Sequence, residues 1–330
     1  MKFSIGYQHN ERLKRLVLEH REQVRELYFP WGTFPTGRGE VRDRASQEAL
    51  EHDLAEYASA GIGLDLLLNG NCFGRHALAR TFYQRIGDTV ELLCERYALR
   101  AVTTASPSIA RFLRRNFPDL TIRASVNMEI GTPEGADYLL EWFDSFYMKR
   151  ELNYDFPALR AMYDFCRRNR KELLILANSG CLNYCSARTF HDNLVSHQEE
   201  IAEMDNAFVF HGICTEYLSC AAKREDLLRL SNFIRPEDVP LYENLCDSIK
   251  LATRTNFNPA AVVSAYFSGH FSGNLLELTE PAHSELFHPA ILAGDRMPAD
   301  YGKRRLNCAK DCAHCGFCRE VQKNATVTLS

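Results

Sequence analysis

The chain has 330 residues, 45% of them hydrophobic and 25% charged, with a formal net charge of -4. That length suits one large α/β domain plus an appendage, or two smaller domains. The slight acidity gives no general pull toward phosphate backbones, which leaves nucleic acid as a partner only through a local patch.

From residue 3 to about residue 255, short apolar runs alternate with longer helical patterns. The runs expected as strands are 3–7, 24–29, 63–68, 99–103, 121–125, 145–148, 173–176 and 249–252. Between most of them lie amphipathic segments such as 46–60, 76–97, 107–115 and 154–169, the last carrying Phe156, Leu159, Met162, Tyr163 and Cys166 at helical spacing. This is the βαβα pattern of a parallel sheet. Eight strands in about 250 residues predict a closed (β/α)8 TIM-like barrel over residues 1–270. An open doubly wound sheet is the rival, because periodicity alone does not encode closure. The stretch 177–248 is too long for a simple crossover and reads as a cysteine-bearing insertion. Residues 271–330 read as a C-terminal extension of weak periodicity. No run of about 18 apolar residues occurs, which argues against a transmembrane helix. Met1-Lys2-Phe3-Ser4-Ile5-Gly6-Tyr7 leads straight into polar residues with no signal-peptide core, so the expected location is cytoplasmic.

In such barrels the chemistry sits on the loops that follow the strands. Here those loops hold Asn69-Gly70-Asn71-Cys72, Asn127-Met128-Glu129, Lys149-Arg150-Glu151 and Asn178-Ser179-Gly180-Cys181. Arg150 and Glu151 at the end of the sixth strand, and Arg254 at the end of the eighth, are candidates for catalysis or for ion pairs at the rim. His191, Asp192 and His197 share the helical segment 189–200 but not one face of it. They read as surface or capping residues, with His191 a proton carrier if it faces the barrel mouth.

Twelve cysteines do not suit a disulfide framework in a reducing compartment, and eight of them are clustered. Cys308, Cys312, Cys315 and Cys318 form a C-x3-C-x2-C-x2-C run, close to the ferredoxin pattern, with zinc as the alternative occupant. Lys303, Arg304, Arg305, Lys310 and Arg319 flank it and would offset the charge of either centre. The first three of these thiols match the spacing of radical S-adenosylmethionine enzymes, but Cys318 offers a fourth ligand and the run lies at the wrong end of the chain. Cys181 and Cys185 leave the seventh strand, with Cys214 and Cys220 the nearest later thiols and Cys72 a substitute for either across the barrel mouth. No nucleophile elbow, phosphate loop or H-E-x-x-H occurs.

Several passages resemble the collagenase-like peptidase family, U32. Phe233-Ile234-Arg235-Pro236-Glu237-Asp238-Val239, Tyr242, and Asp247-Ser248-Ile249-Lys250-Leu251-Ala252-Thr253-Arg254 are similar to its "IRPEDL…Y…FKIAGR" passage. Met148-Lys149-Arg150-Glu151-Leu152 resembles its "LSREL" step, and Ser179-Gly180-Cys181 its strand-end "G-x-C". Thr253 stands where the family has glycine, and the terminal four-cysteine run lies outside the common pattern. The resemblance implies a barrel-like core whose four cysteines bind a [4Fe–4S] cluster, with Cys181 as one ligand and Cys214 and Cys220 as the later pair; Cys185, whose C-x3-C spacing departs from the family's common members, is the fourth candidate. A second cluster or zinc would sit at Cys308–Cys318. It further implies oxygen-independent hydroxylation of a small molecule or an RNA base; an electron-donor protein and a homo- or heterodimer are the expected partners. The other expectations are a hydrolase with structural zinc, or a non-catalytic electron-transfer partner.

Overall fold

The computed structural model describes residues 1–38 and 43–329. Eight parallel strands run β1 (Phe3–Gly6), β2 (Val24–Phe29), β3 (Gly63–Leu68), β4 (Ala101–Thr104), β5 (Thr121–Ala124), β6 (Ser145–Tyr147), β7 (Glu172–Leu176) and β8 (Ser248–Leu251). Each pairs with its neighbours in sequence. β1 also pairs with β8, in the register Phe3↔Ile249, Ser4↔Lys250, Ile5↔Leu251. That last pairing closes the sheet into a TIM-like barrel and removes the open-sheet alternative.

The strands read as nearly unbroken apolar runs because a parallel sheet is covered on its outside by helices. Ile5, Leu27, Leu64, Leu66, Ile122, Ile175, Ile249 and Leu251 are buried in one continuous core with helical residues such as Leu50, Leu54, Ile86, Leu93, Leu113 and Leu159. The helices start where local chemistry satisfies their free amides. Ser106, Thr132 and Asn258 each accept a hydrogen bond from the helix they precede, and a proline follows each in the first turn.

The barrel interior differs from the usual stack of branched aliphatics. A small apolar set, Val126, Tyr147, Leu174, Leu176 and Ala252, shares it with a charged layer. There Arg123 on β5 bonds Glu26 on β2 at 2.7 Å and Ser145 on β6 at 3.0 Å. Ser4 on β1 donates to Glu26 at 2.8 Å, and Thr103 on β4 to Asp65 on β3 at 2.6 Å. The Lys250 ammonium on β8 lies 3.7 Å from the centre of the Tyr28 ring.

The β7–β8 connection carries helices at Arg188–Ser196, Gln198–Ala202, Ile213–Ser219, Ala221–Arg224 and Leu227–Leu230. The helix expected over 189–200 is broken at His197, whose backbone (φ -116, ψ 19) ends one helix and precedes the next. Beyond the helix Pro259–Ser268, β9 (Ala290–Leu292) pairs antiparallel with β10 (Thr326–Thr328). The tail is stitched to the β7–β8 insertion. Asp226 binds both Arg229 and Arg319, Gln322 bonds Leu228 and Arg224, and Arg305 donates to Ser231 at 2.8 Å. No helix among the described residues is long and apolar enough to cross a membrane.

Candidate functional site at the barrel mouth

The C-terminal ends of the strands open onto a cavity lined by charged and amide side chains: Arg38, Asn69, Asn127, Arg150, Asp192, Lys250, Arg254 and Glu280 among them. Its floor is the interior layer, through Tyr28 and Lys250. Its walls come from the loops after β2, β3, β5, β6, β7 and β8, as the barrel rule requires.

Cys181 sits at the edge of this cavity. Asn178, buried at the end of β7, fixes the loop that carries it. The Asn178 amide donates to the Ala252 and Leu278 carbonyls at 2.7 and 2.8 Å and accepts from the Ala252 amide at 2.6 Å. Gly180 then passes so close to the Pro281 carbonyl that a side chain would not fit. Its amide donates to the Glu280 carbonyl at 2.9 Å, and its own carbonyl lies 2.8 Å from His283 Nε2.

The Cys181 sulfur lies 3.6 Å from Arg150 Nη1 and 4.0 Å from Arg38 Nη2. Burial opposes its ionisation, but Arg150, then Arg38 and Arg188, outweigh that and hold the thiol below its ordinary value. Cys214 is close enough to interact with it and with Cys185. Burial pushes the Cys214 thiol up, and the neighbouring Cys181 and Cys185 add to the effect. Cys220 is exposed at the junction of two short helices, and among the described residues no hydrogen bond links its sulfur to the other three. At the tail, burial pushes the Cys318 thiol up against the pull of Arg305, and Cys308, Cys312 and Cys315 add to the effect. Among the described residues no three His, Cys, Asp or Glu side chains surround a single metal-ion position.

The other expected site residues divide by role. Arg150 is buried and reaches Asn127 Oδ1 at 2.9 Å as well as Cys181, which places it in the cavity wall. Arg254 lines the cavity and bonds Thr36 at 2.9 Å. Glu151 instead accepts from the Tyr184 amide at 2.9 Å and pairs with Lys149 and Arg188, so it positions the Cys181–Cys185 loop. Glu129 pairs with Lys149, Arg150 and Arg188. His191 is half-buried against Phe210, and burial followed by Arg38 lowers its pKa, so at neutral pH it is a neutral imidazole. Cys72 accepts from the Gly74 amide at 3.4 Å, and His197 is the main group lowering its thiol.

Three contributors escaped the sequence reading. Arg38 follows Thr36-Gly37 with no pattern around it. Arg188, three residues after Cys185, belongs to no motif in the sequence. Glu280 arrives from the C-terminal extension, through a parallel bridge between Ser179 and Glu280, so the mouth is built across the expected boundary at residue 270. Nothing in a single sequence marks a contact formed over 100 residues.

No protein-family profile matches the sequence. Across 326 residues the chain is 24% identical to an uncharacterized protease, MJ1657, of Methanocaldococcus jannaschii, covering 95% of this chain and 92% of that one. Among solved structures it is similar to the U32 peptidase Mk0906, with a TM-score of 0.54 and 17% identity over 76% of this chain and 91% of that one. A relative matched along nearly its whole length and a shared barrel thus accord with the strand-end passages quoted above, by which the chain resembles the U32 peptidase family.

Proposed function

We propose that the chain is an iron–sulfur protein that carries out an oxygen-independent, hydroxylation-type redox modification of a small molecule or an RNA base in the barrel mouth. The observation that carries this reading is the setting of Cys181. A thiol at the cavity edge is surrounded by three arginines, with the Cys214 thiol close enough to interact with it and with Cys185. Buried donors around it make no hydrogen bond: Arg150 Nε and Arg188 Nε, with Arg188 Nη1 having only the Glu129 carboxylate at 3.7 Å. Unsatisfied buried donors are costly, and the sulfur atoms of an anionic cluster are the acceptors that such donors suit.

Cys181, Cys185 and Cys214 would hold a [4Fe–4S] cluster, with Cys220 the fourth ligand by family resemblance. When bound, such a cluster supplies one-electron transfer. The chain's own residues do the rest. Arg38, Arg150, Arg254 and Lys250 outnumber Asp192 and Glu280 in the cavity wall and favour an anionic or electron-rich substrate. Asn69 and Asn127 offer both donors and acceptors to orient it. Neutral His191, half-buried nearby, can accept a proton released on modification. Cys308, Cys312, Cys315 and Cys318 would hold a second cluster that relays electrons from a donor protein, or a zinc that braces the tail.

Anaerobic purification with a visible spectrum and iron, sulfide and zinc analysis tests the reading. The expected result is brown protein with about four iron atoms per chain, or about eight with both centres filled. Cys181→Ala is expected to lose about four of them while remaining folded. Colourless protein bearing zinc alone would overturn the redox reading in favour of the hydrolase that the relatives' names suggest.

A further inference from the structure

We propose that Cys72, His197 and Glu200 form a thiol-nucleophile site on the barrel rim that accepts acyl groups from esters, thioesters or amides. The site lies outside the ligand set above and does not depend on it.

The three residues come from two separate segments. Cys72 is on the loop after β3, on the face of the barrel that carries chemistry. His197 sits at the break between the helices Arg188–Ser196 and Gln198–Ala202, and Glu200 lies one turn further on. The join is specific. The Asn71 amide donates to Ser196 Oγ at 2.8 Å, and Ser196 Oγ in turn donates to the Asp192 carbonyl at 2.9 Å. Asn71 and Ser196 immediately precede Cys72 and His197, so this one bond sets the thiol and the imidazole beside each other. The helix break follows from the same contact, because it turns the His197 ring toward the β3 loop instead of along the helix.

The arrangement is that of nucleophile, base and orienting group. Cys72 and His197 lie close enough for each to shift the other's titration, and His197 Cε1 is 3.2 Å from where a Gly74 side chain would begin. Glu200 Oε2 lies 3.1 Å from His197 Nδ1, which leaves the other ring nitrogen for the thiol. The Gly74 amide donates to the Cys72 sulfur at 3.4 Å. Gly74 has φ +51, and a side chain there would crowd His197 Cε1 at 3.2 Å, so glycine keeps the ring's position open. His197 and then the Gly74 amide hold the Cys72 thiol below its ordinary value, while Cys72 raises His197. The thiol is half-buried and open to reagents. A surface ion pair between His197 and Glu200 would not account for the Asn71–Ser196 bond or for the glycine.

In the proposed step the Cys72 sulfur attacks the acyl carbon. The new S–C bond forms as the bond to the leaving group breaks. The thiol proton passes to His197 and then to the leaving group. Water hydrolyses the resulting thioester, giving its proton to His197, which returns it to Cys72 as the carboxylic acid departs. No oxidant or reductant is needed.

The test uses p-nitrophenyl acetate on the anaerobically purified whole protein, freed of added thiols. The expected result is a burst of about one equivalent of nitrophenolate, with the acetyl group on the Cys72 peptide by mass spectrometry. Cys94, the other half-buried thiol outside both clusters, is the internal standard. Burial raises it, and it should acetylate far more slowly. Cys72→Ser should abolish the burst, and His197→Gln should slow it about 100-fold near pH 7. Glu200→Gln should slow it less and move the midpoint of its pH profile. Equal acetylation of Cys72 and Cys94 in the wild-type protein would overturn the proposal, even if every variant failed to fold. So would a wild-type rate in folded His197→Gln. Iron content, read on the same samples, reports separately on the cluster reading.

Discussion

Arg123→Met probes the charged layer on which the mouth rests. Arg123 and Glu26 are 4% and 3% exposed, so neither charge has water to fall back on. Removing the guanidinium takes away the 2.7 Å contact to Glu26, the 3.0 Å contact to Ser145 and a 3.4 Å contact to Glu172. Glu26 then keeps the Ser4 hydroxyl and the outlying Arg25 Nε at 3.9 Å, with Asp65 nearby. At an effective dielectric near 20, a unit-charge pair at 2.7 Å is worth about 6 kcal/mol, an upper bound. Breaking one side of a buried pair costs about 3–5 kcal/mol in practice. Methionine fills part of the volume, and Arg123 Nε has no partner to lose. We therefore expect a loss of about 4 kcal/mol in the unfolding free energy, read from urea melts followed by circular dichroism. The double variant Glu26→Gln/Arg123→Met removes the stranded charge and should recover about half of that loss. A single variant costing under about 1 kcal/mol, or a double variant no more stable than the single, would refute the account.

Three further outcomes concern Asp65, Gly180 and Gly87. Burial, with Glu26 adding to it, pushes the Asp65 carboxyl up to about 7 against the pull of Arg123, Lys250 and Thr103. A carboxyl raised on folding binds its proton more tightly in the native state. Its stabilisation is therefore complete below pH about 4 and is lost as the pH rises through about 7. Relative to Asp65→Asn, the wild type should lose up to about 1.4 kcal/mol per pH unit across that window, and parallel pH dependences of the two melts would contradict this. Gly180→Ala should cost about 3 kcal/mol or more in thermal melts, because its backbone is held on both sides and the methyl meets the Pro281 carbonyl. Gly87→Ala, in mid-helix with only Phe112 at 3.5 Å, should gain up to about 1 kcal/mol. Equal effects at the two positions would show that the Gly180 loop gives way.

Much of the barrel is legible in the sequence. A strand sandwiched between helices and a barrel interior must be apolar on nearly every residue, so runs such as Gly63–Leu68 announce themselves. The loops after those runs could be named for the same reason, and Arg150, His191, Arg254 and Cys181 do meet at one end of the barrel. Boundaries shift by a residue or two, as at β4, where Leu99 and Arg100 precede the first ladder pair at Ala101. The charged interior was visible only as isolated residues, because Glu26, Asp65, Arg123 and Lys250 each interrupt a different strand.

The sequence by itself determined the local terms: which segments are strands, where prolines and capping side chains start helices, and which thiols are clustered. Only the tertiary structure decided that β1 meets β8, that Glu280 enters the mouth from the tail, and that the helix over 189–200 breaks to bring His197 to Cys72. The physical reason is range. Periodicity and capping are set by neighbours within a turn or two, whereas closure, buried ion pairing and a two-segment site depend on residues that only folding brings into contact.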